Sequence, residues 1–153
     1  MENFDITIKY AQDLCEKRKV RLTAKRQKVF YSLLKAAKAL SAYELIDCLK
    51  ADFDEDFAPM TIYRILRFLQ EQTLVHKLQM ANKFVACAHI TDCGFHKNPQ
   101  FLICNSCQKV DEIYLEKAII QAVHTNIEKI GFRISEPQLE LNGICKNCQN
   151  NSI

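Results

Sequence analysis

No apolar run in the chain approaches the roughly 20 residues that a membrane-crossing helix needs. The first ten residues, MENFDITIKY, lack the basic-then-apolar profile of a secretory signal. A strong excess of one charge is missing too: 21 Lys and Arg face 18 Asp and Glu, and a net charge of +3 names no partner by itself. No strand–helix–strand unit of the thioredoxin kind accompanies a cysteine pair. These absences lead to the expectation of a cytoplasmic protein with no membrane partner and no small organic substrate. With 153 residues, 48% hydrophobic and 25% charged, the chain has the composition of an ordinary globular protein of one or two small domains.

Cysteine, by contrast, is plentiful. There are eight, and without an export signal they argue for thiols and metal rather than a disulfide framework. Four form two Cys-x-x-Cys turns, Cys104/Cys107 and Cys145/Cys148. Each turn offers two sulfurs to one side of an ion, so two turns complete a tetrahedral zinc site. Residues 108–144 lie between them, enough for a helix and strands, and the ion would fasten the two ends of a small domain. The alternatives are transient redox pairs, as in a thiol redox enzyme, and plain buried thiols. Cys15 and Cys48 lie on apolar helix faces and read as small core residues.

Charge is unevenly spread. Residues 1–83 carry 15 basic and 11 acidic side chains, whereas residues 84–153 carry 6 and 7. Seven basic residues and no acidic ones fall between Lys17 and Lys28. Such a stripe suits a phosphate backbone, although a charge run of this kind is also the ordinary dress of a solvated helix.

The first half reads as helices. Thr23 is a candidate N-cap ahead of Val29, Phe30, Leu33, Leu34 and Ala37 at helical spacing. Ser41 and Glu44 spell a capping box before Leu45, Ile46 and Leu49. Pro59 suits the first turn of a third helix, with Ile62, Ile65, Leu66 and Leu69 on one face and Tyr63, Arg64 and Arg67 on the other. Two strands follow, Leu74–Leu78 and Phe84–Cys87, around a turn at Ala81-Asn82-Lys83. Three helices and a hairpin make a winged helix-turn-helix, whose third helix reads DNA. In the second half, Phe101–Cys104, Val110–Ile113, Phe132–Ser135 and Leu139–Ile144 read as strands. Leu115–Ile130 reads as a helix ended by Gly131, and Gln149–Ile153 as a loose tail. The expected fold is α+β: an N-terminal winged-helix domain at 1–82, then a small α/β dimerisation and metal-binding domain at 83–153.

His76, Cys87, His89, Cys93 and His96 fall within 21 positions at the junction of the two halves. That concentration suggests a second metal site, and mixed sulfur, nitrogen and oxygen ligands at tetrahedral geometry favour zinc.

Several stretches together resemble the ferric uptake regulator family across residues 10–148. They are Arg21-Leu22-Thr23-Ala24-Lys25-Arg26, Ser41-Ala42-Tyr43-Glu44-Leu45, Ala58-Pro59-Met60-Thr61-Ile62-Tyr63-Arg64, Leu74-Val75-His76-Lys77 and the paired Cys-x-x-Cys turns. The resemblance is greatest to the family's zinc sensors. It implies a regulatory zinc site of His76, Cys87, His96 and Glu112, besides the structural site of Cys104, Cys107, Cys145 and Cys148, hence two zinc ions per chain. The thiolate at Cys87 selects zinc over the harder iron(II). Iron-sensing relatives typically carry a His-x-His cluster before the first Cys pair; here Phe95-His96-Lys97-Asn98-Pro99 has one histidine. His89 and Cys93 remain possible substitute ligands, and His124 is read as structural.

The resemblance further implies DNA contact through Tyr63 and Arg64 on base edges, with Thr61, Arg67, Lys25 and Arg26 on phosphates. The expected function is a homodimeric, zinc-responsive repressor that binds a palindromic double-stranded operator and silences zinc-uptake genes. Such a protein is not an enzyme. An iron, manganese or peroxide sensor on the same scaffold is the alternative.

Overall fold

The computed structural model of the chain describes residues 4–91, 99–135 and 138–150. Four helices come first: α1 (Phe4–Lys17), α2 (Ala24–Ala36), α3 (Ala42–Phe53) and α4 (Pro59–Glu71). Helix α1 is additional to the three expected. It packs through Ala11 and Cys15, which are fully buried. The capping box opens α3 as the sequence predicts: Ser41 Oγ accepts from the Glu44 N–H at 3.2 Å, and the Glu44 carboxylate accepts from the Ser41 N–H at 2.7 Å. Pro59 starts α4, where its missing N–H costs nothing. Thr23 is the N-cap of α2 by position, but its side chain makes no capping bond.

Val29, Phe30, Leu33, Leu45, Leu49, Ile62, Leu66 and Leu69 form the core under these helices. Its lid is a hairpin of β1 (Val75–Leu78) and β2 (Lys83–Ala86), paired antiparallel from Val75↔Ala86 to Leu78↔Lys83. Leu40 exchanges two backbone hydrogen bonds with Phe84, at 2.9 and 2.7 Å, which ties the hairpin to the start of α3. Residues 83–86 therefore pack with the first unit. The expected boundary at 82/83 falls in the hairpin turn.

The second unit is a sheet of order β4-β3-β5, from β3 (Gln100–Cys104), β4 (Val110–Ile113) and β5 (Glu140–Gly143). Strand β3 pairs antiparallel with β4 and parallel with β5. Helix α5 (Lys117–Lys129) links β4 to β5, and α6 (Lys146–Asn150) follows. Gly131 at φ 84° takes the left-handed turn that ends α5. The expected strand at 132–135 does not form: these residues pair with neither outer edge of the β4-β3-β5 sheet. Gln149 and Asn150, expected in a loose tail, belong to α6, and the Gln149 amide donates to the Ile144 carbonyl at 2.6 Å.

Pairing neighbours in a sheet project to the same face. Phe101 pairs with Glu112 on one side and Glu140 on the other, so Glu112, Phe101 and Glu140 form one row. That row faces the hairpin: the Phe101 ring lies 5.5 Å from the His76 ring and is buried with Leu78 and Ala39. Leu102 and Leu141 project to the opposite face and are exposed. No described helix is long and apolar enough to cross a membrane.

Candidate metal centres and DNA-facing surface

The β3–β5 register, Cys104↔Gly143, carries the two Cys-x-x-Cys turns to the same end of the sheet. The first turn closes tightly: the Gln108 N–H donates to the Cys104 carbonyl at 2.9 Å, and Gln108 takes a positive φ of 62°. The Asn105 N–H reaches the Gly143 carbonyl at 2.9 Å, locking one turn to the other. The sulfurs of Cys104, Cys107, Cys145 and Cys148 all lie within 4.8 Å of one another. A tetrahedron with Zn–S bonds of about 2.3 Å spaces its sulfurs by about 3.8 Å. The Cys107–Cys145 separation is 3.8 Å, the spacing of thiolates around one ion and far outside a disulfide. The Cys107 and Cys145 backbone N–H groups, aimed at Cys104 Sγ, lower that thiol to about 6 against the opposing effect of burial. Its thiolate, the form a metal takes, is therefore ready at neutral pH.

The second group joins the two units. His76 comes from β1, Cys87 from just beyond β2, and Glu112 from β4, with ligand atoms all within 4.8 Å. His76 is 8% exposed and Cys87 4%. His76 Nε2 and Glu112 Oε1 stand 3.4 Å apart, too long for a good hydrogen bond, and neither buried atom has a hydrogen-bond partner among the described residues. Leaving both orphaned costs about 1–3 kcal/mol each, more for the carboxylate. A cation bonded to both removes that cost, so the donor set fits a metal ion. The Ala88 N–H takes the other carboxylate oxygen at 3.2 Å and turns Oε1 toward His76 and Cys87. Burial works to raise the Glu112 carboxyl, but the His76 ring and the Ala88 N–H outweigh it and hold the group below its usual range. Burial, reinforced by the Glu112 charge, pushes the Cys87 thiol up to about 12.

The titration of the two groups has a measurable consequence. Cys87 keeps its proton through neutral pH, whereas Glu112 has already lost its own. Filling this site must displace the Cys87 proton. Calorimetry in buffers of different ionisation enthalpy should record release of about one proton per ion near pH 7, with apparent affinity rising about tenfold per pH unit.

The remaining expected ligands divide. His96 and Cys93 lie outside the described residues. His89 does not join the group; its Nε2 is 3.4 Å from the Glu112 carbonyl oxygen. His124, on α5, belongs to no cluster of ligating side chains among the described residues. Phe101 under His76 and the Ala88 N–H on Glu112 have no sequence signal, because both arise where the hairpin meets the separate β4-β3-β5 sheet and span 25 and 24 positions.

On α4, Tyr63, Arg64 and Arg67 are exposed while Ile62, Ile65, Leu66 and Leu69 face the core. Arg67 pairs with Glu71 one turn on, at 3.3 Å. Thr61 sits in the first turn of α4, its N–H donating to the Ala58 carbonyl at 3.0 Å. The basic stripe proves to be mixed in purpose. Lys25 is exposed. Arg26, expected on a phosphate, has its guanidinium 3.6 Å over the Phe68 ring and donates to the Arg21 carbonyl at 2.6 Å. Arg18 donates to the Gln72 carbonyl at 2.6 Å, a cation at the C-terminal end of α4. Lys28 pairs with Glu55.

An amphipathic helix with an exposed Tyr-Arg face, a wing beside it, and a metal-ligand group spanning wing and sheet define a winged-helix, metal-binding regulator. The family model for the ferric uptake regulator family matches residues 17–142, and the chain belongs to that family. It is a metal-responsive, DNA-binding transcriptional repressor and not an enzyme, so the thiol redox alternative falls. The zinc uptake regulation protein of Escherichia coli (strain K12) is 36% identical over 138 residues, covering 90% of this chain and 78% of that one. The structure of a zinc uptake regulator complexed with zinc and DNA superimposes with a TM-score of 0.83 at 30% identity, covering 99% of this chain and 98% of that one. Another relative, XcZur, has been solved in two forms. The holo form superimposes with a TM-score of 0.77 at 31% identity over 94% of this chain and 97% of its own. The apo form reaches 0.53 at 30% identity over 97% and 99%.

Proposed function

We propose that the chain is a zinc-responsive repressor whose zinc-loaded homodimer binds a palindromic operator and represses zinc-uptake genes. The observation that carries this reading is the convergence of His76, Cys87 and Glu112 from two units, with two buried ligand atoms left orphaned. The better fit to the holo than to the apo form of XcZur supports a ligand-ready arrangement of the units.

Each residue then has a role. Cys104, Cys107, Cys145 and Cys148 hold a permanent ion that contributes folding energy. His76, Cys87 and Glu112, with His96 as the expected fourth ligand, form the regulatory site, and the thiolate favours zinc over iron(II) or manganese. A bound zinc ion supplies two positive charges and simultaneous bonds to ligands from both units. Joint ligation leaves the hairpin and sheet one relative position, with the units meeting after Ala86.

The dimer seam is assigned to the outer face of the second unit. Leu102 and Leu141 are exposed there, Ile119 and Phe132 are exposed elsewhere in the same unit, and no residue of α5 is buried. Two-fold pairing through that face makes the operator palindromic. Fixed units hold the two copies of α4 at a spacing that can match successive major grooves, about 34 Å apart. Tyr63 and Arg64 would then meet base edges, and Thr61, Arg67 and Lys25 the phosphates.

Zinc analysis of the purified dimer tests this. Two ions per chain should fall to one on mild chelation, with loss of operator binding. Zinc should restore binding at concentrations where iron(II) and manganese do not. Operator binding that survives the loss of the labile ion would overturn the reading.

A further inference from the structure

We propose that Glu140 is a positioning residue: it fastens the wing turn to the sheet and so provides a second closure point, independent of metal. The inference rests on the reading above, in which ligation at His76, Cys87 and Glu112 closes the two units.

The row Glu112–Phe101–Glu140 meets the hairpin at three places. Glu112 joins the ligand group and Phe101 lies against the His76 ring. Glu140, at the far end of the row, reaches the tip of the hairpin. Its carboxylate accepts from the Gln79 N–H at 2.6 Å and from the Met80 N–H at 3.1 Å. Gln138 completes the contact: its amide donates to the Lys77 carbonyl at 2.9 Å and to Glu140 Oε1 at 2.7 Å. Three wing residues, Lys77, Gln79 and Met80, are thus held from one short segment about 60 positions away in the chain.

This contact does mechanical work that the ligand group cannot. His76 and Cys87 sit at the base of the hairpin, so ligation there fixes a pivot and leaves the tip a lever. Gln79 and Met80 are that tip, and Met80 is 88% exposed beyond it. A carboxylate taking two successive backbone N–H groups is a charge-assisted bond of fixed geometry. It can form only when the units are closed, so it shares the closed state with the ligand group. By linkage, weakening one closure point must weaken the apparent affinity of the other.

The test is a titration of the full-length dimer with buffered free zinc, followed by anisotropy of a labelled operator. Glu140→Ala should keep its zinc content at saturation and its dimeric state. Its half-saturation point should move to about tenfold higher free zinc, the loss of a hydrogen bond to a charged group. At saturating zinc, operator affinity should return to within about threefold of wild type, because ligation then suffices to populate the closed state. Glu140→Gln keeps one acceptor oxygen, so its shift should be smaller and in the same direction; it carries the test if the alanine variant does not fold. An unmoved midpoint in a folded variant overturns the inference. So does an unmoved midpoint with weak binding at saturation, since Glu140 would then act on DNA directly. Wild-type protein that ignores zinc altogether would sink the functional reading instead.

Discussion

Cys87→Ser is expected to abolish zinc-dependent operator binding while leaving the dimer intact. Serine nearly matches the thiol in size, so the buried position beside β2 stays filled. What disappears is the thiolate. A serine hydroxyl does not ionise near neutral pH and is a poor zinc ligand. Loss of an outer-shell partner already costs about 10- to 100-fold in metal affinity, so loss of this ligand should cost at least about a hundredfold. Zinc content should fall from two ions per chain to one, and anisotropy should show no response to added zinc. Elution volume should stay at the wild-type value, and thermal unfolding should match that of wild type stripped of its labile ion, because the four-cysteine group lies elsewhere in the sheet.

Cys104→Ser should fail in the opposite way. Cys104 is the buried member of its group and stands where β3, the first Cys turn and the second Cys turn meet. Its sulfur also accepts the Cys145 N–H at 3.3 Å, so the substitution disturbs both turns. Structural zinc contributes on the order of 10 kcal/mol to small metal-bound folds, comparable to the whole stability of a domain. The expected product is a chain whose second unit melts, with loss of the dimer by light scattering and of a cooperative thermal transition. If Cys87→Ser and Cys104→Ser behaved alike, the division into a labile and a permanent site would be wrong.

Local chemistry was the legible part of this chain. The Ser41/Glu44 capping box, Pro59 at the start of α4 and the two Cys-x-x-Cys turns are short-range patterns, and each is where the sequence predicts it. Helix α1 packs through Ala11 and Cys15, with Ile8, Tyr10 and Leu14 partly buried beside them, and of these only Cys15 reads from the sequence as lying on a helix face. The stretch 132–135 alternates as a strand should, but alternation alone does not bring a segment alongside a sheet edge, and these residues pair with neither outer edge of β4-β3-β5. The hairpin turn looked like a boundary for a similar reason: the Leu40–Phe84 pairing that ties β2 to the helices spans 44 positions. His76, Cys87 and Glu112 were picked out through family resemblance, and the structure brings them together. The basic stripe at Arg26 is legible in the sequence, whereas the Phe68 ring under its guanidinium is visible only after folding.

Helix α5 keeps none of its residues buried, and Leu102, Leu141 and Phe132 of the same unit are exposed. A freshly made copy therefore emerges with an unfinished hydrophobic shelf. Until it meets its twin it is adhesive rather than merely idle, and dilution would return it to that condition. If that shelf is the proposed dimer seam, the abundance of the regulator, and not just of its metal, becomes a variable of the switch: a cell that made too little would hold sticky halves instead of a sensor.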